Sequence, residues 1–130
     1  MVESVEAFLS KAEESLAGAE SEFVNGRYNN CANRCYYACF QAAIAALLRA
    51  DIEPPGVQWG HQFVQGRFVG ELINRRKVYP AALRTALANT LSLRQTADYK
   101  GDRVNQREGA RALSWTRPLI ESVQRGGESR

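Results

Sequence analysis

A stripe of leucines late in the sequence ends in two charged residues. Leu83, Leu87 and Leu91 recur at helical spacing, and Arg94 and Asp98 continue the same face of the helix. Burying a charge without a partner is costly, so both side chains need each other, other polar groups or an anionic ligand. A guanidinium group matches the geometry of a phosphate bidentately. Arg94 is therefore the first candidate for binding an anion.

A second group of polar side chains interrupts an otherwise apolar helix near its start; it consists of Asn30, Asn33, Arg34 and Tyr37. Antiparallel packing would bring the start of this helix toward the end of the helix that carries Arg94. Both groups would then line one patch, which would include Arg34, Arg94, Asp98 and Tyr99. Tyrosine adds a hydroxyl and a stacking face, which suits a nucleic-acid base. The alternative is a buried polar network that only fixes the register of the helices.

Hydrophobic periodicity predicts helices along nearly the whole chain, which indicates an all-α fold: an antiparallel bundle of four to five helices with short loops. The predicted helices cover residues 5–24, 28–50, 58–74, 80–99 and 105–124. Ser4 suits the N-cap of the first helix, and Pro80 suits the first turn of the fourth. Three glycines weaken the third segment, which would also fit two short pieces. Pro118 should kink or break the fifth helix.

The second helix is apolar almost all round and rich in small residues, so we expect it to be the central helix. Cys31, Cys35 and Cys39 share one face of it. This spacing is poorly suited to a disulfide, and no second cluster exists to complete a zinc site. We therefore interpret the cysteines as small buried hydrophobic residues. We expect neither a metal nor a cofactor.

The chain has 130 residues, of which 45% are hydrophobic and 24% charged. This length and composition predict one globular domain over residues 1–125, with a frayed tail at 126–130. No apolar run approaches the ~18 residues that a membrane span requires. Acidic residues precede any apolar run at the N-terminus, which is unlike a signal peptide. We expect a cytoplasmic protein that does not contact a membrane.

The formal net charge of +3 is unevenly distributed along the chain. Residues 1–26 contain six glutamates and one lysine, whereas residues 67–117 contain eleven basic and four acidic residues. A basic half in a small domain suits an anionic partner such as RNA, a nucleotide or an acidic protein. The alternative is a basic face that is simply solvated.

The sequence resembles a known family in several segments. Residues 27–43, RYNNCANRCYYACFQAA, resemble the second helix of HEPN domains (higher eukaryotes and prokaryotes nucleotide-binding). His61 and Phe68 match the landmarks that usually follow. Residues 94–99, RQTADY, resemble the R-x-x-A-D-Y signature of the small single-domain prokaryotic type. The resemblance spans about residues 5–123.

This resemblance implies a helical bundle that is usually a homodimer and is often encoded beside a small nucleotidyltransferase, as toxin with antitoxin. Many such domains are metal-independent ribonucleases with an R-x(4–6)-H pattern, in which histidine moves a proton and arginine stabilises the phosphorane. The candidate catalytic residues are then Arg94, Asp98 and Tyr99. The candidate ligand-binding residues are Asn30, Asn33, Arg34, Tyr37 and His61.

The sequence departs from this pattern at the histidine. The positions where histidine would fall hold Tyr99, Lys100 and Gly101. Tyrosine, with a pKa near 10, is a poor general base at neutral pH. The single histidine, His61, lies in another segment, where it is either a packing or loop residue or folds toward the cleft. Tyr99 is placed like a tyrosine to which, in some HEPN toxins, the partner transferase adds a nucleotide.

Two functions remain open at this point. The first is a toxin-like subunit that binds RNA or nucleotide in a dimer cleft and cleaves RNA without metal. The second is a non-catalytic module that binds nucleotide or a partner nucleotidyltransferase. A helical scaffold, in which the charged residues only lock the register, is a third interpretation.

Overall fold

The computed structural model describes residues 4–99 and 101–127, and within these residues it contains helices and no strand. The five α-helices are α1 (Val5–Val24), α2 (Tyr28–Arg49), α3 (His61–Arg67), α4 (Ala86–Tyr99) and α5 (Gln106–Arg125). A π-helical segment, Phe68–Arg75, continues α3, and a 3₁₀ turn, Ala81–Leu83, precedes α4. The predicted all-α fold is confirmed. None of the helices in the described ranges is long and apolar enough to cross a membrane.

Short polar side chains determine where α1 and α5 begin. The Ser4 hydroxyl accepts a hydrogen bond from the Ala7 amide at 3.0 Å, as the sequence predicted. At α5, the Asn105 side chain accepts from the Glu108 amide at 2.8 Å, and the Glu108 carboxylate accepts from the Asn105 amide at 3.0 Å. This reciprocal capping box satisfies amide groups that the helix leaves without partners.

The centre of the bundle is α2, which contacts α1, α4 and α5. Most of its buried residues are alanine and cysteine, whose small side chains let the neighbouring helices approach closely. The three cysteines are buried and free, which confirms the interpretation from their spacing. The Cys39 thiol lies 3.4 Å from the Thr116 hydroxyl of α5.

The middle of the chain differs from the prediction in two places. The fourth helix begins at Ala86, and Pro80 precedes the separate 3₁₀ turn, in which the Arg84 amide donates to the Ala81 carbonyl. The third segment begins at His61 and changes to π-helical geometry at Phe68. Both departures bury large side chains: Phe68 and Leu83 face the core. Packing outweighs the weak local helix preference here.

The end of α5 is closed by two glycines. Gly126 adopts a left-handed conformation with a φ of 86°, which glycine reaches at little cost. A Cβ atom on Gly127 would lie 2.6 Å from the Val78 carbonyl oxygen. Helix α5 continues through Pro118, so the proline does not break the helix. Of the predicted frayed tail, residues 128–130 lie outside the described residues.

Two buried acids on α2 predict a loss of stability in alkaline solution. Burial raises the pKa of the Cys39 thiol from 9.0 to about 11 and the pKa of the Tyr36 phenol from 10.0 to about 12. The unfolded chain therefore releases these protons first, and the free energy of unfolding falls as pH rises above 9. The free energies of unfolding measured by urea titration at pH 8 and at pH 10.5 should differ by about 2 kcal/mol because of the Cys39 thiol. In the Cys39→Ala variant the free energy of unfolding should fall less with pH than in the wild type. An equal fall in both proteins would contradict the raised pKa of this thiol.

Candidate functional site

Arg94 projects from α4 onto the aromatic side chains of α2. Its guanidinium carbon lies 5.5 Å from the ring centre of Tyr36, 5.2 Å from that of Tyr37 and 5.7 Å from that of Tyr99. Attraction between a cation and a ring face holds the guanidinium in place. The Arg94 side chain is only 15% exposed. These residues together with Asp98 and Asn33 are called the Arg94 cluster below.

The polar contacts of the cluster lie within α4, apart from one hydrogen bond that joins α4 to α2. Asp98 Oδ2 lies 3.3 Å from Arg94 Nε and accepts a hydrogen bond of 3.0 Å from Asn33 Nδ2. Arg94 Nη2 donates to the Tyr99 hydroxyl at 3.3 Å. The start of α2 therefore lies beside the end of α4. This agrees with the antiparallel packing that the sequence suggested.

One N–H group of the Arg94 guanidinium has no well-aligned acceptor in the described part of the chain. Its Nε is buried, and it has no hydrogen bond of acceptable geometry in the described part of the chain, because the neighbouring Asp98 oxygen is poorly aligned. A buried donor without a partner costs about 1–3 kcal/mol.

Arg34 adds a second positive charge beside the cluster. Its Nε and Nη2 donate to Asn33 Oδ1 at 3.1 and 2.7 Å, and its guanidinium carbon lies 5.1 Å from the Tyr37 ring centre. Arg94 is paired with Asp98, and Arg34 adds a positive charge for which no carboxylate contact is seen in the described part of the chain. This positive charge suits a phosphodiester, which carries one negative charge.

Asn30 is one of the residues predicted to line the shared patch, and its side-chain hydrogen bond joins the start of α2 to α1. Its side chain donates to the Glu22 carboxylate at 3.0 Å, because this carboxylate lies across the start of α2 and also accepts from Arg27. Both hydrogen bonds lower the pKa of the Glu22 carboxyl. Asn30 and Arg34 line a groove of about 460 Å³ that shares Asn33 with the Arg94 cluster and is also bounded by Gly18, Ser21, Glu22 and Arg27.

His61 is the first residue of α3, and its exposed ring meets the buried end of Tyr36. The Nδ1 atom lies 2.8 Å from the Tyr36 hydroxyl. Tyr36 is 2% exposed, and its ring stacks on Phe40. One face of the same tyrosine carries the Arg94 guanidinium. The histidine therefore lies one side chain away from Arg94.

Tyr36 is a site residue that the sequence analysis missed. It lies on the apolar stripe of α2, so periodicity assigned it to the core. The available signal was its position next to Tyr37, since two consecutive aromatic residues beside polar ones present rings on adjoining helix faces. The structure shows that both rings contact Arg94 and that Tyr36 joins Arg94 to His61.

The cluster combines a cation, aromatic rings, hydroxyl groups and an amide. Over residues 4–99 and 101–127, no three histidine, cysteine, aspartate or glutamate side chains are grouped closely enough to hold a metal ion. A guanidinium beside exposed and half-buried tyrosines can bind a phosphate and stack a base. The arrangement brings together the chemical groups that could bind a nucleotide-like anion.

Comparison with known proteins places this all-helical bundle in a family. The sequence profile of the HEPN domain matches residues 5–126, nearly the whole chain. The chain therefore belongs to the HEPN domain family. Among individual proteins, it is similar to "Putative toxin MJ0605" of Methanocaldococcus jannaschii. The two are 27% identical over 128 residues, which cover 95% of this chain and 88% of the archaeal protein.

Proposed function

We propose that this chain is the toxin-like subunit of a toxin–antitoxin pair and that it binds RNA through the Arg94 cluster. The observation that carries the proposal is the Arg94 guanidinium, which is packed among three tyrosine rings and is 15% exposed. The name of the archaeal relative supports the toxin assignment. The basic balance of residues 67–117 supports an anionic ligand.

The aromatic part of the cluster favours a nucleic acid or nucleotide over a simple acidic protein. Tyr99 is 72% exposed, so its ring is accessible to a base. Stacking of one base on an aromatic ring contributes about 1–3 kcal/mol. Arg34 lies next to the cluster and borders the 460 Å³ groove, which gives a strand a second cationic contact. A single-stranded nucleic acid uses all of these groups, and we propose that it is RNA.

The proposed assembly is a homodimer with the Arg94 clusters facing each other across a two-fold axis. Pairing two partly exposed clusters would remove them from water and strengthen their electrostatic interactions. The proposed antitoxin is a nucleotidyltransferase that adds a nucleotide to Tyr99. The exposure of Tyr99 supports this step, and its hydroxyl accepts a hydrogen bond from Arg94. A phosphate attached there would compete with RNA for Arg94.

Binding of a fluorescent single-stranded RNA, measured by anisotropy, tests the proposed function. We expect a dimer of twice 14.5 kDa by light scattering. Its affinity should fall steeply with salt, since each phosphate contact contributes a slope of about −0.7 for single strands. Induced expression without the antitoxin should arrest growth. Absence of RNA binding together with normal growth would contradict the proposal.

A second candidate function is a non-catalytic binding module. Tyr99 occupies the nearest position at which the catalytic histidine of the R-x(4–6)-H pattern would lie, and tyrosine is a poor base at neutral pH. Under this alternative the purified dimer binds a nucleotide or a partner nucleotidyltransferase and leaves added RNA intact. Analysis of the added RNA on a denaturing gel separates the two functions.

A further inference from the structure

We propose that bound RNA runs from the Arg94 cluster along the start of α2 to a second groove beside Arg103, so that the ligand is a strand of several nucleotides. The inference rests on the proposed RNA-binding function and deepens it by giving the path and the length of the ligand. The observation that carries it is that the cluster and two neighbouring grooves share the residues that line them.

The cluster and the two grooves follow one another along α2. The groove of about 460 Å³ adjoins the cluster because Asn33 belongs to both. A further groove of about 360 Å³, at the beginning of α2, shares Arg27 and Asn30 with it. The remaining residues that line this further groove are Gly26, Tyr28, Asn29, Arg103 and Val104. The three regions together are called the α2 path below.

The α2 path is longer than a single nucleotide. On α2 it extends from Tyr28, in the further groove, to Tyr37, in the cluster, and these residues are nine positions apart. An α-helix rises about 14 Å over this number of residues. Since a stacked strand carries one phosphate per about 3.4 Å, this length corresponds to about four nucleotides. A mononucleotide would contact only one of the three regions.

The charges that line the two grooves favour a chain of phosphates. Arg27, Arg34 and Arg103 line them, against one carboxylate, Glu22. Glu22 is already paired with Arg27 and accepts a hydrogen bond from Asn30. In the described part of the chain, neither Arg34 nor Arg103 forms an ion pair. Two guanidinium groups, one in each groove, therefore remain for phosphates.

A hydrogen bond fixes the position of Arg103 relative to α2. Arg103 lies in the connection between α4 and α5, and the next residue, Val104, is 4% exposed. The Val104 amide donates to Asn29 Oδ1 at 2.9 Å, which ties this connection to the first turn of α2. That turn contains no acidic residue that would repel a phosphate. The exposed Arg103 side chain is thus held at the end of the α2 path.

The dependence of affinity on RNA length tests the α2 path. Fluorescent oligoadenylates of two, four and eight nucleotides are titrated with the wild-type chain, and binding is measured by anisotropy. We expect the affinity to rise about 10-fold or more from two to four nucleotides, because the longer strand gains the contacts with Arg34 and Arg103. Between four and eight nucleotides the affinity should rise much less.

Arg103→Ala removes the contact at the far end of the α2 path. This variant should bind the eight-nucleotide RNA about 3- to 10-fold more weakly and the two-nucleotide RNA within twofold of the wild type. Its plot of log affinity against log salt should be shallower by about 0.7 for the eight-nucleotide RNA. Arg125→Ala is the matched control, since it removes the same charge from an exposed position at the other end of α5. It should change neither the affinity nor the slope.

Ser21→Glu places a negative charge in the middle of the α2 path. Ser21 is an exposed residue of α1 that lines the 460 Å³ groove. The variant should bind the eight-nucleotide RNA about 3- to 10-fold more weakly, because the new carboxylate repels phosphates. Ser10→Glu makes the same change at an exposed position toward the other end of α1 and should bind like the wild type. All four substituted side chains are exposed, so the melting temperatures should stay close to that of the wild type.

Two results would overturn the inference. One is equal affinity of the wild-type chain for the two- and eight-nucleotide RNAs. The other is an affinity for the eight-nucleotide RNA that is the same in the wild type, Arg103→Ala and Ser21→Glu. Either result leaves the proposed binding function intact, whereas a wild-type chain that binds none of the RNAs would contradict the proposed function itself.

Discussion

Replacing Arg94 by alanine is expected to weaken binding of single-stranded RNA by about 10- to 100-fold. Hydrogen bonds to a charged group contribute about 1.5–3 kcal/mol each, and each 1.4 kcal/mol corresponds to a tenfold change in affinity. The guanidinium is already oriented by Tyr36, Tyr37 and Tyr99, so little ordering cost opposes binding. Arg94→Lys should recover only part of the affinity, since an ammonium cannot bind a phosphate bidentately.

The matched control for Arg94→Ala is Arg75→Ala. It removes the same charge from the π-helical segment, where Arg75 forms a surface ion pair with Glu71 at 2.7 Å. Binding is measured by anisotropy at two salt concentrations. The Arg94 variant should lose affinity at both, whereas the Arg75 variant should stay within twofold of the wild type. Equal losses in the two variants would show that only the overall charge matters.

The same Arg94 variant separates a binding site from a structural network. Alanine removes the ion pair with Asp98 within α4 and the contacts with Tyr36 and Tyr37, which join α4 to α2. Urea denaturation of the variant gives its free energy of unfolding. A loss of several kcal/mol with unchanged RNA affinity would favour the helical-scaffold interpretation. A large loss of affinity with a small loss of stability would favour the site.

Replacing Phe68 by alanine is expected to lower the free energy of unfolding by about 3–5 kcal/mol. Phe68 begins the π-helical segment, is fully buried and lies with its ring centre 5.3 Å from that of Tyr79. Alanine would leave a cavity between this segment and the chain that leads to the 3₁₀ turn. The cost includes the lost burial of the ring and the contacts that its neighbours no longer make.

Phe68→Leu is the control for this prediction. Leucine fills much of the same volume and should cost about 1–2 kcal/mol, since it leaves a much smaller gap. Both variants are measured by urea denaturation at neutral pH, with the m-value checked for constancy. A cost below about 1 kcal/mol for Phe68→Ala would mean that the segment is not packed as described.

Much of the helical framework followed from local signals in the sequence. The Ser4 cap and the apolar periodicity placed α1, and the nearly all-round apolar character of α2 correctly predicted its central position. These signals suffice because caps and stripes depend on residues within one or two helical turns. The Arg94–Asp98 pair was predictable for the same reason, since residues four apart lie on one face of a helix.

The segment between α2 and α4 was less predictable. Its glycines weaken local helix preference, so the choice among α, π and 3₁₀ geometry depended on how Phe68, Leu72 and Leu83 reach the core. Such burial involves residues distant in sequence. Periodicity within a single segment does not contain this information.

The residues of the site also divide into those predictable from local sequence and those that only tertiary packing brought together. The residue types and the helix spacing selected Arg94, Asp98, Asn33 and Arg34 in advance. The pairing of Tyr36 with His61, 25 residues away, and the diversion of Asn30 to Glu22 emerged from the folded chain. A single helix specifies which side chains share a face, because its geometry repeats. Which faces and loops meet depends on how the entire bundle packs, and that packing brought the one histidine to the tyrosine beside Arg94.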